Sequence, residues 1–136
     1  MMRSYALLLI LVIGLILPPP SQAADRQTLY QLRTYQLHPQ SKAVFHARFR
    51  DHAVAIMKRH GFDIAAIWEA DHNGAPEFVY LLRWSDEAAM KAAWTGFMTD
   101  PEWIEIKRNT ISPDAPIVGD IDSKTMRLTD YSPGLP

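Results

Sequence analysis

A strand-like segment followed directly by a long amphipathic helix constrains the fold of this 136-residue chain more than any other feature. Residues Leu29–Leu37 read LYQLRTYQL, and the aromatic side chains among them suit a pleated strand. After Pro39, apolar residues recur at helical spacing until His60 and Gly61. Because the hydrophobic period changes from two to about 3.6, one face of each element must be buried. The unit therefore predicts an α+β fold.

The rest of the chain supplies three further strands and two further helices. Ser41 and Asp86 are candidate N-caps for helices that begin at about residues 42 and 87, the first ending near residue 60. Pro101 suits the first position of a short third helix. Alternating apolar residues and the turns between them predict the other strands at about 62–70, 77–84 and 124–130, with a loop at about 112–122. This order is that of a ferredoxin-like βαββαβ fold with one extra short helix.

The third strand, at about residues 77–84, has apolar side chains on both of its faces. One face carries Phe78, Tyr80, Leu82 and Trp84, and the other carries Val79, Leu81 and Arg83. A small free-standing sheet needs only one buried face. The alternation therefore predicts a second layer against the sheet.

The first residues have the pattern of a secretory signal peptide. Arg3 precedes an apolar run from Ala6 to Leu17, and three prolines and the small-residue site ending at Ala23 follow. The run spans roughly 18 Å as a helix, which is short of the roughly 30 Å hydrocarbon core of a bilayer. We therefore predict a signal peptide at 1–23, a mature domain at 24–136, and no stable membrane anchor after cleavage.

Composition narrows the compartment and the partners. The chain contains no Cys, so it forms no disulfide; a periplasmic or secreted location is expected, and a periplasm fits better than a disulfide-dense extracellular setting. Without Arg3, 13 basic residues face 15 acidic ones. The basic residues of the first helix, Arg48 among them, alternate with acidic residues, as is typical of a solvated outer face. No nucleic-acid partner and no second domain are predicted.

Four segments, in the right order, resemble the NIPSNAP domain family. They are Tyr30–Leu37, the helical pair 49–52 and 58–61, Asp100–Trp103, and Leu128–Pro133. Together they cover nearly the whole mature chain. The resemblance implies a dimeric α+β barrel, in which two ferredoxin-like sheets pair across a two-fold axis to form a homodimer. Such pairing accounts for the two apolar faces of the third strand.

The resemblance implies a fold but not a reaction. The wider fold group includes cofactor-free quinol-type monooxygenases, haem-degrading oxygenases and isomerases, whereas NIPSNAP proteins have no agreed reaction. The best-known animal members are described as mitochondrial and associated with protein interactions. The leader of this chain is apolar and secretory rather than an Arg-rich transit peptide, so those cellular roles are not transferred.

His52 and Tyr35 are the candidate catalytic residues. His52 lies seven residues after Phe45, on the helical stripe expected to face the sheet. An imidazole held there could exchange a proton with a ligand, because its unperturbed pKa of about 6.5 lies near working pH. The alternative is a hydrogen-bonded core histidine. For His60, which precedes Gly61, the expected role is stabilisation of the helix C-terminus.

Arg33 and Tyr35 alternate onto the same face of the first strand. A cation and a phenol there could orient a carboxylate or a quinone oxygen. Alternatively, Arg33 pairs with an acidic residue at the dimer seam while Tyr35 packs. Three further aromatic residues suit either a flat ligand or an aromatic core. The predicted ligand-binding set is Arg33, Tyr35, His52, Trp68, Tyr80 and Trp84.

The histidines do not form a metal-binding pattern. They occur at positions 38, 46, 52, 60 and 72, and none forms the i, i+4 pair that places two imidazoles on one helix face. The sequence also lacks a Gly-x-Ser-x-Gly elbow and a phosphate-binding glycine loop. We predict no metal and no cofactor, and nothing supports a hydrolase or a nucleotide-dependent enzyme.

These observations favour an exported, homodimeric NIPSNAP-like domain that binds a small, largely apolar, aromatic ligand between its helices and its sheet. One alternative is a cofactor-free monooxygenase or isomerase in which His52 or Tyr35 handles a proton. A second alternative is a protein-interaction module that uses the Pro-rich loop at 112–119 and the C-terminal tail.

Overall fold

The computed structural model of the chain describes residues 28–110 and 116–135. The strands are β1 (Leu29–Leu37), β2 (Asp63–His72), β3 (Ala75–Trp84) and β4 (Val118–Met126). Helix α1 joins β1 to β2 and consists of an α-helical segment (Lys42–Arg48), a π-helical segment (Phe49–Ala53) and a second α-helical segment (Val54–Arg59). Helices α2 (Glu87–Thr99) and α3 (Pro101–Thr110) lie between β3 and β4. The predicted ferredoxin-like βαββαβ order with one extra helix is confirmed. The predicted signal peptide and its cleavage after Ala23 lie outside the described residues.

The four strands form one antiparallel sheet in the order β2-β3-β1-β4. Strand β1 therefore lies between β3 and β4. Arg33 is opposite Tyr80 on one side and Ser123 on the other. Since directly opposed residues share a face, these three side chains project to the same side of the sheet.

The helices cover that side and form the core with it. On β3 the side chains of Phe78, Tyr80, Leu82 and Trp84 are at most 4% exposed. Helix α1 buries Phe45, Phe49, Ala53 and Ile56 against them. Burial of each large apolar side chain contributes on the order of 1.5–3 kcal/mol, so this layer is the main source of stability.

The opposite side of the sheet is only partly covered. Trp68 and Met126 are 47% and 38% exposed there, whereas Tyr30 is buried. The C-terminal tail, residues 127–135, encloses a cavity of about 290 Å³ on this side; its lining includes Tyr30, Leu81, Met126, Leu128 and Leu135. The second face of β3 is thus apolar and half-buried, without a complete covering layer in one chain.

A two-residue turn joins β2 to β3. Asn73 and Gly74 have φ of 55° and 81°, the left-handed values that a type I′ hairpin turn requires. His72 pairs with Ala75 across it. Strand β2 therefore ends later, and β3 begins earlier, than the predicted bounds of about 62–70 and 77–84, because two residues suffice to reverse the chain.

The last strand begins earlier than predicted. Strand β4 spans Val118–Met126 rather than about 124–130, so part of the expected loop, including Gly119, is strand. Glycine and aspartate residues disfavour strand structure locally, but β4 is an edge strand that pairs with β1 from Tyr30 to Leu37. This long-range pairing outweighs local preference. Residues 111–115 of the predicted loop lie outside the described residues.

Helix α1 ends near residue 60 as predicted, but its start differs from the expected Ser41 cap. Gly61 has φ of 84°, and the amides of Gly61 and Phe62 donate to the carbonyls of Lys58 and Met57, as in a Schellman motif. Ser41 is the N-cap residue, but its side chain does not cap the helix. Its hydroxyl donates instead to the carbonyl of Ile117, which ties the start of α1 to the start of β4.

Candidate functional site

A chain of hydrogen bonds joins β1 to β3 beneath the helices. Arg33 Nη2 donates to the hydroxyl of Tyr35 at 3.1 Å, and that hydroxyl lies 3.1 Å from the hydroxyl of Tyr80. Tyr80 is fully buried, and burial raises its pKa well above the usual range. The phenol of Tyr80 therefore stays neutral, and the chain carries the single positive charge of Arg33.

Gln31 supports this chain from the next position along the same face. Its Oε1 accepts hydrogen bonds from the indole nitrogens of Trp84 at 3.2 Å and Trp94 at 2.8 Å. Its Nε2 donates to Ser123 on β4. Trp94 is thereby fixed so that its ring lies 4.7 Å from the guanidinium carbon of Arg33, a cation–π distance.

A second arginine reaches the same region from α1. Arg48 Nη1 donates to Thr110 at the end of α3, and its guanidinium carbon lies 5.6 Å from the ring centroid of Trp103 and 6.0 Å from that of Phe45. The ring of Phe45 lies 5.7 Å from the ring of Tyr35. Burial lowers the pKa of Arg48, but an arginine remains protonated at any physiological pH.

We call the region bounded by Arg33, Tyr35, Arg48 and Trp94 the cationic cleft. All four residues are half-buried. On the neighbouring strand β4, the helix-facing residues Ile121, Ser123 and Thr125 are exposed, so the helices do not extend over this edge of the sheet. Arg33 and Tyr35 lie on β1, directly paired with this exposed edge strand.

The structure brings together four of the six predicted ligand-binding residues. Arg33, Tyr35 and Tyr80 form the hydrogen-bonded chain, and Trp84 is linked to it through Gln31. Within the described residues of the single chain Arg33 forms no ion pair, and the alternative of an acidic partner at the dimer seam stays a prediction. Trp68 lies on the opposite face of the sheet and shares no site with the others.

His52 does not belong to the cleft. Its side chain is exposed on α1. The expectation that it faces the sheet is wrong. In the π-helical segment the hydrogen bonds run from i to i+5, so each turn holds more residues than the 3.6 of an α-helix. Ala53, which is 1% exposed, therefore follows Phe49 on the buried side.

A second polar cluster joins the end of α1 to the junction of α2 and α3. Asp100 is buried, and its Oδ2 lies 2.7 Å from His60 Nε2 and 2.8 Å from Arg59 Nη2. Its Oδ1 accepts from the amides of Glu102 and Trp103 and so caps α3. Hydrogen bonds from Arg59 and His60 hold the pKa of Asp100 well below its usual range. His60 therefore binds a carboxylate rather than the end of its own helix.

The sequence predictions missed three residues of the cleft region. Gln31 and Trp94 bear no motif, although Trp94 falls on the apolar side of its helix. Arg48 was expected on a solvated face, yet it is half-buried against aromatic rings. Its position three residues after Phe45, on the edge of the apolar stripe, is the signal that could have found it.

The described ranges, 28–110 and 116–135, contain neither a metal-binding cluster nor a membrane-spanning helix. Over those ranges no three histidine, aspartate or glutamate side chains converge as metal ligands would. No helix in the described part of the chain has the length and apolar character needed to cross a membrane.

Comparison with known proteins identifies relatives by family and by fold. The NIPSNAP family model matches residues 30–133. A NIPSNAP-like domain protein from Burkholderia xenovorans shares 22% identity with a TM-score of 0.67, over 82% of this chain and 93% of that one. A NIPSNAP family protein of unknown function from Agrobacterium tumefaciens shares 19% identity with a TM-score of 0.67, over 81% and 96%. No curated protein matches the chain.

A more distant structural relative is an enzyme. SnoaB, a cofactor-independent oxygenase from Streptomyces nogalater, shares 14% identity with a TM-score of 0.53, over 79% of this chain and 98% of that one. At this identity the likeness demonstrates a shared fold and nothing about chemistry.

Proposed function

This chain belongs to the NIPSNAP family, and we propose that it binds a small, largely apolar, aromatic ligand in the cationic cleft. The observation that carries the proposal is the hydrogen-bonded chain from Arg33 through Tyr35 to Tyr80. Binding sites for small molecules are mostly apolar and contain a few fixed polar groups that orient the ligand. The cleft has that composition.

Aromatic rings supply the apolar part of the cleft. Tyr35 and Phe45 pack against each other, and Trp94 and Trp103 come from helices α2 and α3. Aromatic surfaces favour flat aromatic ligands through offset or edge-to-face contacts. Tyr35 is half-buried among them, and its hydroxyl can donate to or accept from a ligand oxygen.

Binding of 2-naphthamide, a neutral flat aromatic amide, tests the proposal by calorimetry on the purified mature chain. We expect saturable binding that Tyr35→Phe weakens about tenfold, which corresponds to the loss of one hydrogen bond of about 1.4 kcal/mol. Thr34→Ala is the matched control, because Thr34 lies next to Tyr35 in β1 but projects to the opposite face. Its affinity should equal that of the wild type.

Two outcomes would contradict the proposal. One is the absence of binding of 2-naphthamide at millimolar concentration. The other is an equal loss of affinity in Tyr35→Phe and Thr34→Ala, since that result would locate the probe away from the helix-facing side. Native mass spectrometry of the protein purified without denaturation adds an independent check, because a retained small molecule would appear as a fixed mass increment.

A cofactor-free oxygenase is the second candidate, and the observation that favours it is the hydrogen bond from Arg33 to the hydroxyl of Tyr35. In this candidate Tyr35, held by the charge of Arg33, handles a proton of a quinol-type substrate while dioxygen is the oxidant. Oxygen uptake with such substrates, lost in Tyr35→Phe and retained in Thr34→Ala, would separate catalysis from binding. His52 is exposed and has no part in this candidate.

We also propose that two copies of the chain pair through the open faces of their sheets. Val79, Leu81 and Trp68 make that face apolar, and Arg83 and Asp122 give it charges of both signs, which a two-fold axis can match. Sedimentation of the mature protein should give a dimer at micromolar concentration. Trp68→Lys should shift it toward the monomer, and a monomeric wild type would remove the proposal.

Export completes the proposed function. The apolar leader and the site ending at Ala23 support cleavage there and a periplasmic or secreted mature protein. Mass spectrometry of the protein recovered from a periplasmic extract should give a chain that begins at Ala24. Recovery of the full-length chain from the cytoplasm alone would contradict it.

A further inference from the structure

The two arginines of the cationic cleft have no carboxylate partner among the described residues, whereas several other cations of the chain do. Arg59 contacts Asp100 and Glu102, Arg83 contacts Asp63, and Lys42 contacts Glu69. Arg33 and Arg48 are each half-buried, yet neither has a carboxylate within ion-pair distance among the described residues. Two partly desolvated positive charges therefore lie on one side of the sheet with no ion-pair partner among residues 28–110 and 116–135.

The neutral groups around Arg33 and Arg48 accept hydrogen bonds from only some of the N–H donors of these two arginines. A guanidinium has five N–H donors. Arg33 donates to Tyr35, and its Nε is buried with no hydrogen-bond partner in the described part of the chain. Arg48 donates to Thr110. The aromatic rings of Trp94 and Trp103 offset part of the cost of burying the guanidinium groups through cation–π contacts. The rings carry no negative charge, so they do not neutralise the two cations.

Aromatic contacts connect the two arginines. The guanidinium carbon of Arg33 lies 5.3 Å from the ring of Tyr35, the ring of Tyr35 lies 5.7 Å from that of Phe45, and Arg48 lies 6.0 Å from the ring of Phe45. Lys107 adds a third positive charge 5.9 Å from the ring of Trp103. Positive charge thus lies beside several of the aromatic rings proposed above to hold a ligand.

We infer that the cationic cleft selects ligands that carry an anionic oxygen, a carboxylate or an enolate, on an aromatic body, and that Arg48 acts with Arg33 to bind that charge. The inference rests on the proposed ligand-binding function and names the class of ligand. An anionic oxygen would accept the free guanidinium donors and offset the desolvation of both cations. A neutral aromatic ligand can accept hydrogen bonds from the guanidinium groups, but it brings no negative charge to offset their desolvation.

A matched pair of probes tests the charge preference separately from binding itself. 2-Naphthoate and 2-naphthamide differ in charge but share the aromatic body. Calorimetry should give at least a tenfold preference of the wild type for the carboxylate. Arg48→Met, which keeps an apolar side chain against Trp103, should reduce that preference to about onefold, because binding of the carboxylate weakens more than binding of the amide.

Arg50→Met is the control for a general loss of positive charge. Arg50 lies on the same helix, but it is exposed and pairs with Asp51. This variant should keep the tenfold preference. If Arg48→Met fails to fold, Arg48→Gln and the salt dependence of the wild type give the same information, because chloride should weaken binding of 2-naphthoate far more than binding of 2-naphthamide.

Each outcome supports or overturns a specific statement. If 2-naphthamide binds with the expected dependence on Tyr35 and 2-naphthoate binds no more tightly, the proposed function stands and the charge inference is overturned. If the preference exists but persists in Arg48→Met, the role of Arg48 is overturned. If neither probe binds at millimolar concentration, both the proposed function and the inference fail.

Discussion

Two polar clusters lie on the helix side of the sheet, and they differ in how their charges are balanced. At the junction of α2 and α3, the carboxylate of Asp100 contacts Arg59, His60 and two backbone amides. In the cationic cleft, Arg33 and Arg48 contact phenol, hydroxyl and aromatic groups, and no carboxylate among the described residues.

The contrast separates a structural cluster from a binding cluster. A charge whose partners are all supplied by the chain stabilises the fold and has little left to offer a ligand. A partly desolvated charge that has no carboxylate partner among the described residues costs stability, and our proposal accounts for its presence by a ligand that binds it. Residues of the first cluster should therefore affect stability, and residues of the second should affect affinity.

Asp100→Ala should cause a larger loss of stability than removal of either arginine charge in the cationic cleft. It removes the N-cap of α3 and leaves Arg59 and His60 without their shared partner. Urea unfolding followed by tryptophan fluorescence measures the effect. Asp100→Asn is the matched variant, since asparagine can still cap the helix, and it should lose less. Wild-type stability in Asp100→Ala would show that the cluster is not structural.

Acid should destabilise the wild type through the same carboxylate. Because the pKa of Asp100 is lower in the folded state than in the unfolded state, its stabilising contribution is complete above the unfolded pKa of about 4. That contribution decreases as the pH falls toward the folded pKa. Urea unfolding between pH 6 and pH 3 should therefore show a steeper loss for the wild type than for Asp100→Asn. Equal slopes would assign the acid sensitivity to other groups.

Gly96→Ala should destabilise the protein by about 1–3 kcal/mol, because the added methyl group overpacks a closed contact. A Cβ at Gly96 would lie 2.6 Å from His60 Nδ1, and the hydrogen bond to Asp100 prevents that ring from moving away. The same substitution in a His60→Ala background should instead stabilise by up to about 1 kcal/mol, since alanine favours a helix interior over glycine. The sign change in a double-mutant cycle is the measurement, and two effects of the same sign would contradict the overpacking.

Arg48→Met should have the smallest effect on stability, within about 1 kcal/mol of the wild type and in the stabilising direction. The substitution removes a partly buried charge that has no acidic partner in the described residues and keeps an apolar contact with Trp103. Thermal unfolding checks it. A loss comparable to that of Asp100→Ala would place Arg48 in the structural class and break the contrast.

Local patterns predicted the elements that local chemistry determines. Strand β1, the Asp86 N-cap and the end of α1 near residue 60 all depend on residues close in sequence. Strand β4 begins earlier than expected because pairing with β1, some ninety residues away, decides it.

Only the part of the candidate site that depends on local sequence was predicted. Strand alternation is enough to put Arg33 and Tyr35 on one face. A helical wheel with a constant period assigns His52 to the buried side, because it cannot represent the wide π-helical turn. The alternation of charges led to the prediction that Arg48 is solvated, because the ring of Trp103 that it contacts comes from another helix.

The most direct test is the unfolding temperature of the wild type, Arg48→Met and Asp100→Ala, each measured with and without 2-naphthoate. We predict that Asp100→Ala unfolds at a lower temperature than the wild type but is stabilised by the probe to the same extent. We predict that Arg48→Met unfolds at or above the wild-type temperature and gains almost nothing from the probe. The contrary result, in which Arg48→Met is destabilised and the probe stabilises it as much as the wild type, would contradict the cationic cleft as a ligand site.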